Sequence, residues 1–403
     1  MQKTITITLA TGTLQLDMAE GRIPLKRLLG FAARISSQRK FLFVSKVLGK
    51  HYPVSPRMMA WSYRHLARAI LARGLGDASS VWIGMAETAT GLGYGVFAAA
   101  YEAGVRHALF MQSSRYHLEG KARLAFTETH SHATDFFLYY PEQPVHQTLF
   151  LTAQTLVLID DEISTGRTFS RLIAAYQAIN PHLQRVFIVS LVNFAHPDDR
   201  LRVEQLAGIS VQWVCIRQGV LHFVDSHNLA LDAIHVNVSG NGACKKHLLA
   251  WPGRLGMSTP LTLAAHTVEA LIPHIQADNN DPRPILVLGT GECNTPAFLL
   301  GRCLAARGFP IKLQSTTRSP IHLGNDISQV CQFEDNYDDG IPNFIYNVRF
   351  EDYRHIIVCH ETPLGLALLA CLHDWQAISA RFSVDTENPH LAQLHFHAHH
   401  HAY

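Results

Sequence analysis

At 403 residues and 44.9 kDa the chain is too long for one ordinary hydrophobic core, so two or three lobes are expected. Hydrophobic residues make up 47% and charged residues only 16%, which excludes disorder over most of the length and leaves ample apolar area for buried sheets. Lys and Arg number 34 against 32 Asp and Glu, and no stretch gathers five or six like charges, which argues against a general affinity for nucleic acid or acidic membranes.

In chain order, the alternation of Thr with Ile or Leu in the first 18 residues predicts a two-stranded hairpin rather than a secretory leader, and a helix is expected to complete a cap by about residue 40. Short β-branched apolar runs follow (FLFVSKV, VWIGM, TLVLID, RVFIVSLV, then PILVLG and HIIVC), separated by helical periods. That alternation predicts α/β architecture with mainly parallel sheets covered by helices. No apolar run approaches the roughly 20 residues of a membrane span, and cytoplasmic residence is expected. The seven cysteines all lie in the second half with no CxxC pair, so they read as reduced thiols rather than a disulfide framework or a zinc site. The His-rich end, 390–403, reads as a frayed tail.

A repeat runs through the chain. Gly49-Lys50 leads to Ser55-Pro56 as Gly253-Arg254 leads to Thr259-Pro260, at a separation of 204. The strand and turn Val81 to Thr90, with Glu87, recurs as Leu286 to Thr295, with Glu292; Ser113-Ser-Arg115 recurs as Thr316-Thr-Arg318. Leu156 to Gly166, with Glu162, recurs as His355 to Gly365, with Glu361. Four landmarks in one order, with a drift of only a few residues, predict two lobes of one topology. The boundaries drawn are 1–236 for the first lobe, 237–250 for a loop-rich junction, 251–389 for the second lobe and 390–403 for the tail.

The chemistry concentrates in Leu156-Val-Leu-Ile-Asp160-Asp161-Glu162-Ile-Ser164-Thr165-Gly166-Arg167-Thr168. A turn at the carboxyl end of a parallel strand is where open α/β sheets bind ligands. Ser164, Thr165, Gly166 and Thr168 offer hydroxyls, backbone N–H groups and the positive end of a helix, which together hold a phosphate. Asp160 and Asp161 are acceptors suited to vicinal hydroxyls and, with a metal ion, to a diphosphate. A phosphate beside a diol describes a ribose 5-phosphate. Gly91-Leu-Gly93-Tyr-Gly95 misplaces the third glycine of a dinucleotide fingerprint, and a Rossmann reading is set aside.

The Asp-Asp and Thr-Gly-x-Thr pattern resembles the type I phosphoribosyltransferases. The resemblance implies transfer of a 5-phosphoribosyl group from phosphoribosyl pyrophosphate to a nitrogenous base or similar nucleophile, with Mg²⁺, which Asp160 and Asp161 would hold largely through substrate and water. It makes Glu87, Thr88, Ala89 and Thr90 the loop that meets pyrophosphate, with Glu162 and the Ser164–Thr168 loop on the substrate. Arg115, Lys121 and Arg123 become flap cations over the leaving group, in a segment continuing to Glu128 and Asp135. Ser164 stands where purine-base enzymes usually carry an acid, which favours the orotate-like branch. Lys46, Lys50 and His51 form a cationic strand end that could face the acceptor, and a structural role for them is equally open. A non-catalytic sensor of phosphoribosyl compounds is the alternative to an enzyme.

The tetrapeptide Thr317-Arg318-Ser319-Pro320 resembles the one that names the TRSP domain, which follows a phosphoribosyltransferase in bacterial proteins of tellurite-resistance and stress operons. Opposite Asp160-Asp161 the second lobe has Cys359-His360, and opposite Ser164-Thr165 it has Pro363-Leu364, so it reads as a degenerate repeat. Glu292, Arg318, Ser319, His360 and Glu361 remain as its candidate site. It could shape the molecule and close the first site, bind another ligand or carry different chemistry. A homodimer and a pseudo-dimer within one chain are both open.

Overall fold

The structure is a computed structural model that describes residues 3–35, 39–126, 136–226, 244–245, 250–275, 281–385 and 387–399. Two sheets organise it. The first has seven strands in the order Lys3–Leu9, Gly12–Met18, Ser210–Asp225, Arg185–Asn193, Thr155–Ile163, Ser80–Gly84, Ala108–Gln112. The last five are parallel and the first two form the expected hairpin. Ser210–Asp225 serves both parts: its first half runs parallel to Arg185–Asn193 and its second half antiparallel to Gly12–Met18.

The second sheet has six strands, ordered Thr262–Leu263, Leu391–Ala398, Ile378–Val384, His355–His360, Ile285–Gly289, Ile311–Ser315. Its last four are parallel, and they repeat the spatial order of four strands of the first sheet: numbered as they come in the chain, each set lies fourth, third, first, second across its sheet. A hairpin follows the second of these strands in each lobe, Arg123–Phe126 with Phe136–Tyr139 in the first and Val330–Glu334 with Pro342–Tyr346 in the second. Local sequence explains the tight strand-to-helix joints. A Cβ on Gly93 would meet Gly84 Cα at 2.5 Å, and one on Gly289 would meet Asn294 Oδ1 at 2.9 Å, so each helix lies close on its strand only because these residues lack side chains.

Three expectations are corrected. Among the described residues no α-helix completes the amino-terminal cap; a short 3-10 turn, Leu25–Arg27, leads into a second hairpin, Leu29–Ala33 with Phe41–Ser45, so the FLFV run belongs to this hood and not to the parallel sheet. The His-rich tail is not frayed through its length, because Leu391–Ala398 pairs antiparallel with Ile378–Val384. Its Ala392 and Leu394 are buried while His395 is exposed, the alternation of a half-buried strand. The junction lies outside the described residues except for residue 250 and for Cys244–Lys245, which pairs with His117–Leu118. Among the described residues six cysteines are free, and no helix is long and apolar enough to cross a membrane.

The lobes meet reciprocally. Val54 of the first forms a β-bridge with Leu313 of the second, and Met257 of the second forms one with Phe110 of the first. Both members of each bridge are displaced by 203 residues, so the same two surface elements contact each other twice, the pattern of an isologous interface. Helices Thr90–Glu102 and Asn294–Ala306 pack across this junction, with Asn294 Nδ2 donating to Thr90 Oγ1 at 2.9 Å.

Candidate functional site

The Thr155–Ile163 strand delivers its buried half to the core and ends in three consecutive carboxylates that are only partly buried. Burial and the neighbouring Asp161 charge push the Asp160 carboxyl well above its usual range; burial and Glu162 push Asp161 up to about 6. Two crowded carboxylates of this kind attract a cation or a hydroxyl-rich ligand. The Glu162 carboxylate is paired with the Arg39 guanidinium, which lies over the rings of Phe41 at 4.5 Å and Phe43 at 5.2 Å.

Beyond the acids the chain turns through Ser164 and Thr165 to Gly166, whose φ of +75° is left-handed, and the helix Arg167–Ile179 begins. A Cβ on Gly166 would approach Val203 at 3.1 Å and Trp213 at 3.3 Å. The N-cap residue Gly166 brings no side chain to the helix start, and the Arg167 amide donates to Thr165 Oγ1 at a long 3.5 Å. Its first turn therefore presents backbone N–H groups at the end of a parallel strand, beside Asp160 and Asp161, which is the geometry of a phosphate site. The flap strand Arg123–Phe126 packs against the same helix.

The Glu87 loop lies alongside, tied by the Met85 amide to the Ile159 carbonyl at 2.9 Å and by the Ala86 amide to Ser113 Oγ at 2.9 Å; the Ala86–Glu87 peptide is cis. Glu87 is buried. Lys50 Nζ bonds its Oε1 at 2.7 Å and Arg318 of the second lobe stands 3.3 Å from its Oε2. Burial pushes this carboxyl up, but the two cations outweigh it and hold it below the usual range. Lys50 also donates to the Thr316 carbonyl at 2.6 Å, and Thr90 Oγ1 donates to the Glu87 carbonyl at 3.3 Å. Ala89 precedes the first helical residue, Thr90, and Thr88 lines a small cavity between the lobes with Asn294.

The structure separates the flap cations. Arg115 lies over the Phe136 ring at 4.6 Å, within electrostatic reach of Glu87, Arg318 and Glu292, and burial lowers its pKa. Lys121 pairs with Glu142, and Arg123 lies over Phe137 at 4.3 Å. Residues 128 and 135 of the flap fall outside the described residues. Lys46 is engaged by Asp326 of the second lobe at 3.0 Å. His51 is buried and held neutral, its pKa lowered to about 3 by burial and by Lys50.

The second-lobe candidates fall into a different arrangement. Arg254, at the position repeating Lys50, donates to Glu292 Oε2 from Nε at 3.0 Å and to both oxygens of Glu361 at 2.7 and 2.9 Å. Glu361 also accepts from the Trp251 amide at 2.9 Å and from Tyr337 Oη at 3.0 Å. Glu292 accepts from the Ser114 hydroxyl and the Arg115 amide of the first lobe, each at 2.8 Å. These side chains are 0–1% exposed, so they form an internal ion-pair network that fastens the lobes. Arg318 faces Glu87 across the interface, the Ser319 carbonyl accepts from Tyr346 Oη at 2.8 Å, and His360 Nδ1 meets the Thr362 carbonyl at 2.7 Å.

Sequence reasoning missed Arg34 and Arg39 of the hood, Arg254 as a site group, and Asn336 and Tyr337. Only Arg254 carried a signal, its registration with Lys50 in the repeat.

With fold and geometry in place, the class follows: a parallel-stranded α/β lobe with an acid pair and a phosphate turn, joined to a second lobe of like topology. The family model described as phosphoribosyl transferase matches residues 28–220, and the one described as the TRSP domain C-terminal to it matches residues 251–374. The chain carries a phosphoribosyl transferase domain followed by a TRSP C-terminal domain. No curated protein matches it. Among solved structures it is similar to adenine phosphoribosyl transferase from Trypanosoma brucei in complex with AMP, pyrophosphate and ribose-5-phosphate (13% identity, TM-score 0.33, covering 47% of this chain and 77% of that one). It is also similar to the enzyme from Giardia lamblia complexed with 9-deazaadenine (15%, 0.31, 47% and 93%) and to that from Saccharomyces cerevisiae (12%, 0.30, 46% and 94%). The assignment rests on the two family models.

Proposed function

We propose that the first lobe binds phosphoribosyl pyrophosphate and transfers its 5-phosphoribosyl group to a nitrogen of a base-like acceptor of the orotate-like branch, releasing pyrophosphate. The observation that supports this reading is the acid pair, Asp160 and Asp161, set directly before a helix that starts on a left-handed glycine. The helix turn takes the 5-phosphate and the acids take the ribose hydroxyls. Glu87 is held by Lys50 and Arg318, so its loop is rigid where pyrophosphate would lie, and Arg115 supplies positive charge on that side. Catalysis is then mainly positioning and electrostatics around a sugar that becomes cation-like at C1.

The donor set fits Mg²⁺, a hard cation with oxygen ligands: two adjacent carboxylates of raised pKa are available. When bound, Mg²⁺ would neutralise the leaving pyrophosphate. The second lobe closes and braces the first site, and its contacts give one chain the pairing of a dimer. The reading places the protein in the cytoplasm, in nucleotide-like metabolism of tellurite-resistance and stress operons.

The test is ³¹P NMR of phosphoribosyl pyrophosphate incubated with protein, Mg²⁺ and pooled nitrogen heterocycles. Inorganic pyrophosphate and a new phosphomonoester should appear together with wild type and with none in Asp161→Asn. Equal turnover by that variant would remove the acid pair from the mechanism.

A further inference from the structure

Among the described residues, five buried nitrogens under the hood have no hydrogen-bond partner, Arg34 Nε, Arg39 Nε and Nη2 and both ring nitrogens of His51, and Oε2 of the Glu162 carboxylate beside Arg39 has none either. A buried polar group left unpaired loses its hydration without compensation, so five nitrogens in one place ask for a ligand. They do lie in one place. Arg34 is within electrostatic reach of Arg39, Glu162 and Arg115, and His51 is within reach of Arg34 and Glu87.

Charge is dense there: Arg34 and Arg39 face Glu162, Arg39 also faces Asp161, Arg115 faces Glu87 and Glu292, and Glu87 already serves Lys50 and Arg318. Burial and the charge of Arg39 lower the pKa of Arg34, the signature of cations crowded together. The two lysines that the sequence offered for this role are engaged elsewhere, Lys46 by Asp326 and Lys50 by Glu87.

The second lobe builds the wall. Arg34 forms a β-bridge with Ile321, the Ile35 amide donates to the Pro320 carbonyl at 3.1 Å, and the Tyr346 ring lies 6.1 Å from that of His51. The TRSP tetrapeptide thus holds the strand end that carries Arg34. Phe41 and Phe43 back the Arg39 guanidinium with aromatic faces.

We infer that Arg34, Arg39 and His51 form an oxyanion cradle beneath the hood for an acidic group carried by the acceptor. This rests on the transferase reading, in which the turn at 164–168 and the Glu87 loop take the two phosphate ends of the donor, leaving the cradle for the second substrate. A planar acceptor bearing a carboxylate would meet paired guanidinium N–H donors, the geometry in which Arg is strongest.

The experiment titrates full-length protein, saturated with phosphoribosyl pyrophosphate and Mg²⁺, with matched acid and neutral heterocycles: orotate against uracil, picolinate against picolinamide. The acid member of a pair should bind at least tenfold more tightly. Arg34→Gln should erase that preference while donor affinity stays within about threefold, and Arg34→Lys should restore part of it. Arg39→Gln gives an independent reading should the first variant misfold. The cradle is overturned if neither acid binds better than its neutral partner, or if Arg34→Gln loses the donor instead, which would assign the cradle to pyrophosphate. A wild type that binds no donor at all would bring down the transferase reading itself.

Discussion

The turn after Thr155–Ile163 and the turn after His355–His360 occupy the same place in the same topology, and their polar groups have opposite fates. In the second lobe the chain's own side chains fill the ligand positions. Asn336 Oδ1 accepts from the Gly365 amide at 2.7 Å at the helix start, and Asn336 and Thr362 bond each other twice at 2.7 Å. Glu361 is neutralised by Arg254, and Gly365 has an ordinary φ of −76°. In the first lobe the helix starts on a left-handed Gly166 and the acids before it stand together partly exposed. An ancestral phosphate turn becomes an internal fastening when a side chain replaces the ligand, and stays a site when it does not.

The largest effect expected is on that difference. Asp160→Asn with Asp161→Asn should weaken phosphoribosyl pyrophosphate binding by a hundredfold or more without lowering Tm, since removing crowded carboxylates relieves repulsion; a fall in Tm would make the pair structural. Next is Arg254→Met. It leaves Glu292 and Glu361 buried without their cation and should cost about 3–5 kcal/mol in denaturant unfolding, whereas a loss under 1 kcal/mol would show that the network is not the fastening. Gly166→Val should cost about 1–2 kcal/mol through strain at positive φ and also weaken donor binding. Asn336→Ala removes the acceptor of the Gly365 amide and the side-chain bond to Thr362 and should cost about 1 kcal/mol with donor affinity unchanged.

The acid pair also sets a pH dependence. The folded Asp161 carboxyl, raised to about 6, binds a proton more tightly than in the unfolded chain, so its contribution to stability falls as pH rises from about 4 through 6. Thermal unfolding should show that fall in wild type and a flatter profile in Asp161→Asn; parallel profiles would place the pKa elsewhere.

Much of this contrast was legible in the sequence. The β-branched runs at 81–85, 156–160 and 285–289 mark buried parallel strands, and the register between Glu87 and Glu292 exposes the repeat. The partners of those glutamates were not legible, because Arg318 reaches Glu87 and Arg115 reaches Glu292 from the other lobe, and spacing along one chain does not encode a contact across two. The hood was missed for a related reason: Arg34 and Arg39 look like ordinary surface charges until the hairpin folds them over Glu162. The tail was misjudged because His composition masked a period of two in Leu394-His-Phe396-His.

The most direct test of one engaged turn and one open turn is calorimetric titration of the wild-type chain with phosphoribosyl pyrophosphate and Mg²⁺. The account predicts one site per chain, abolished by Asp160→Asn/Asp161→Asn and kept in Asn336→Ala. Two sites per chain, or one that survives loss of the acid pair, would contradict it.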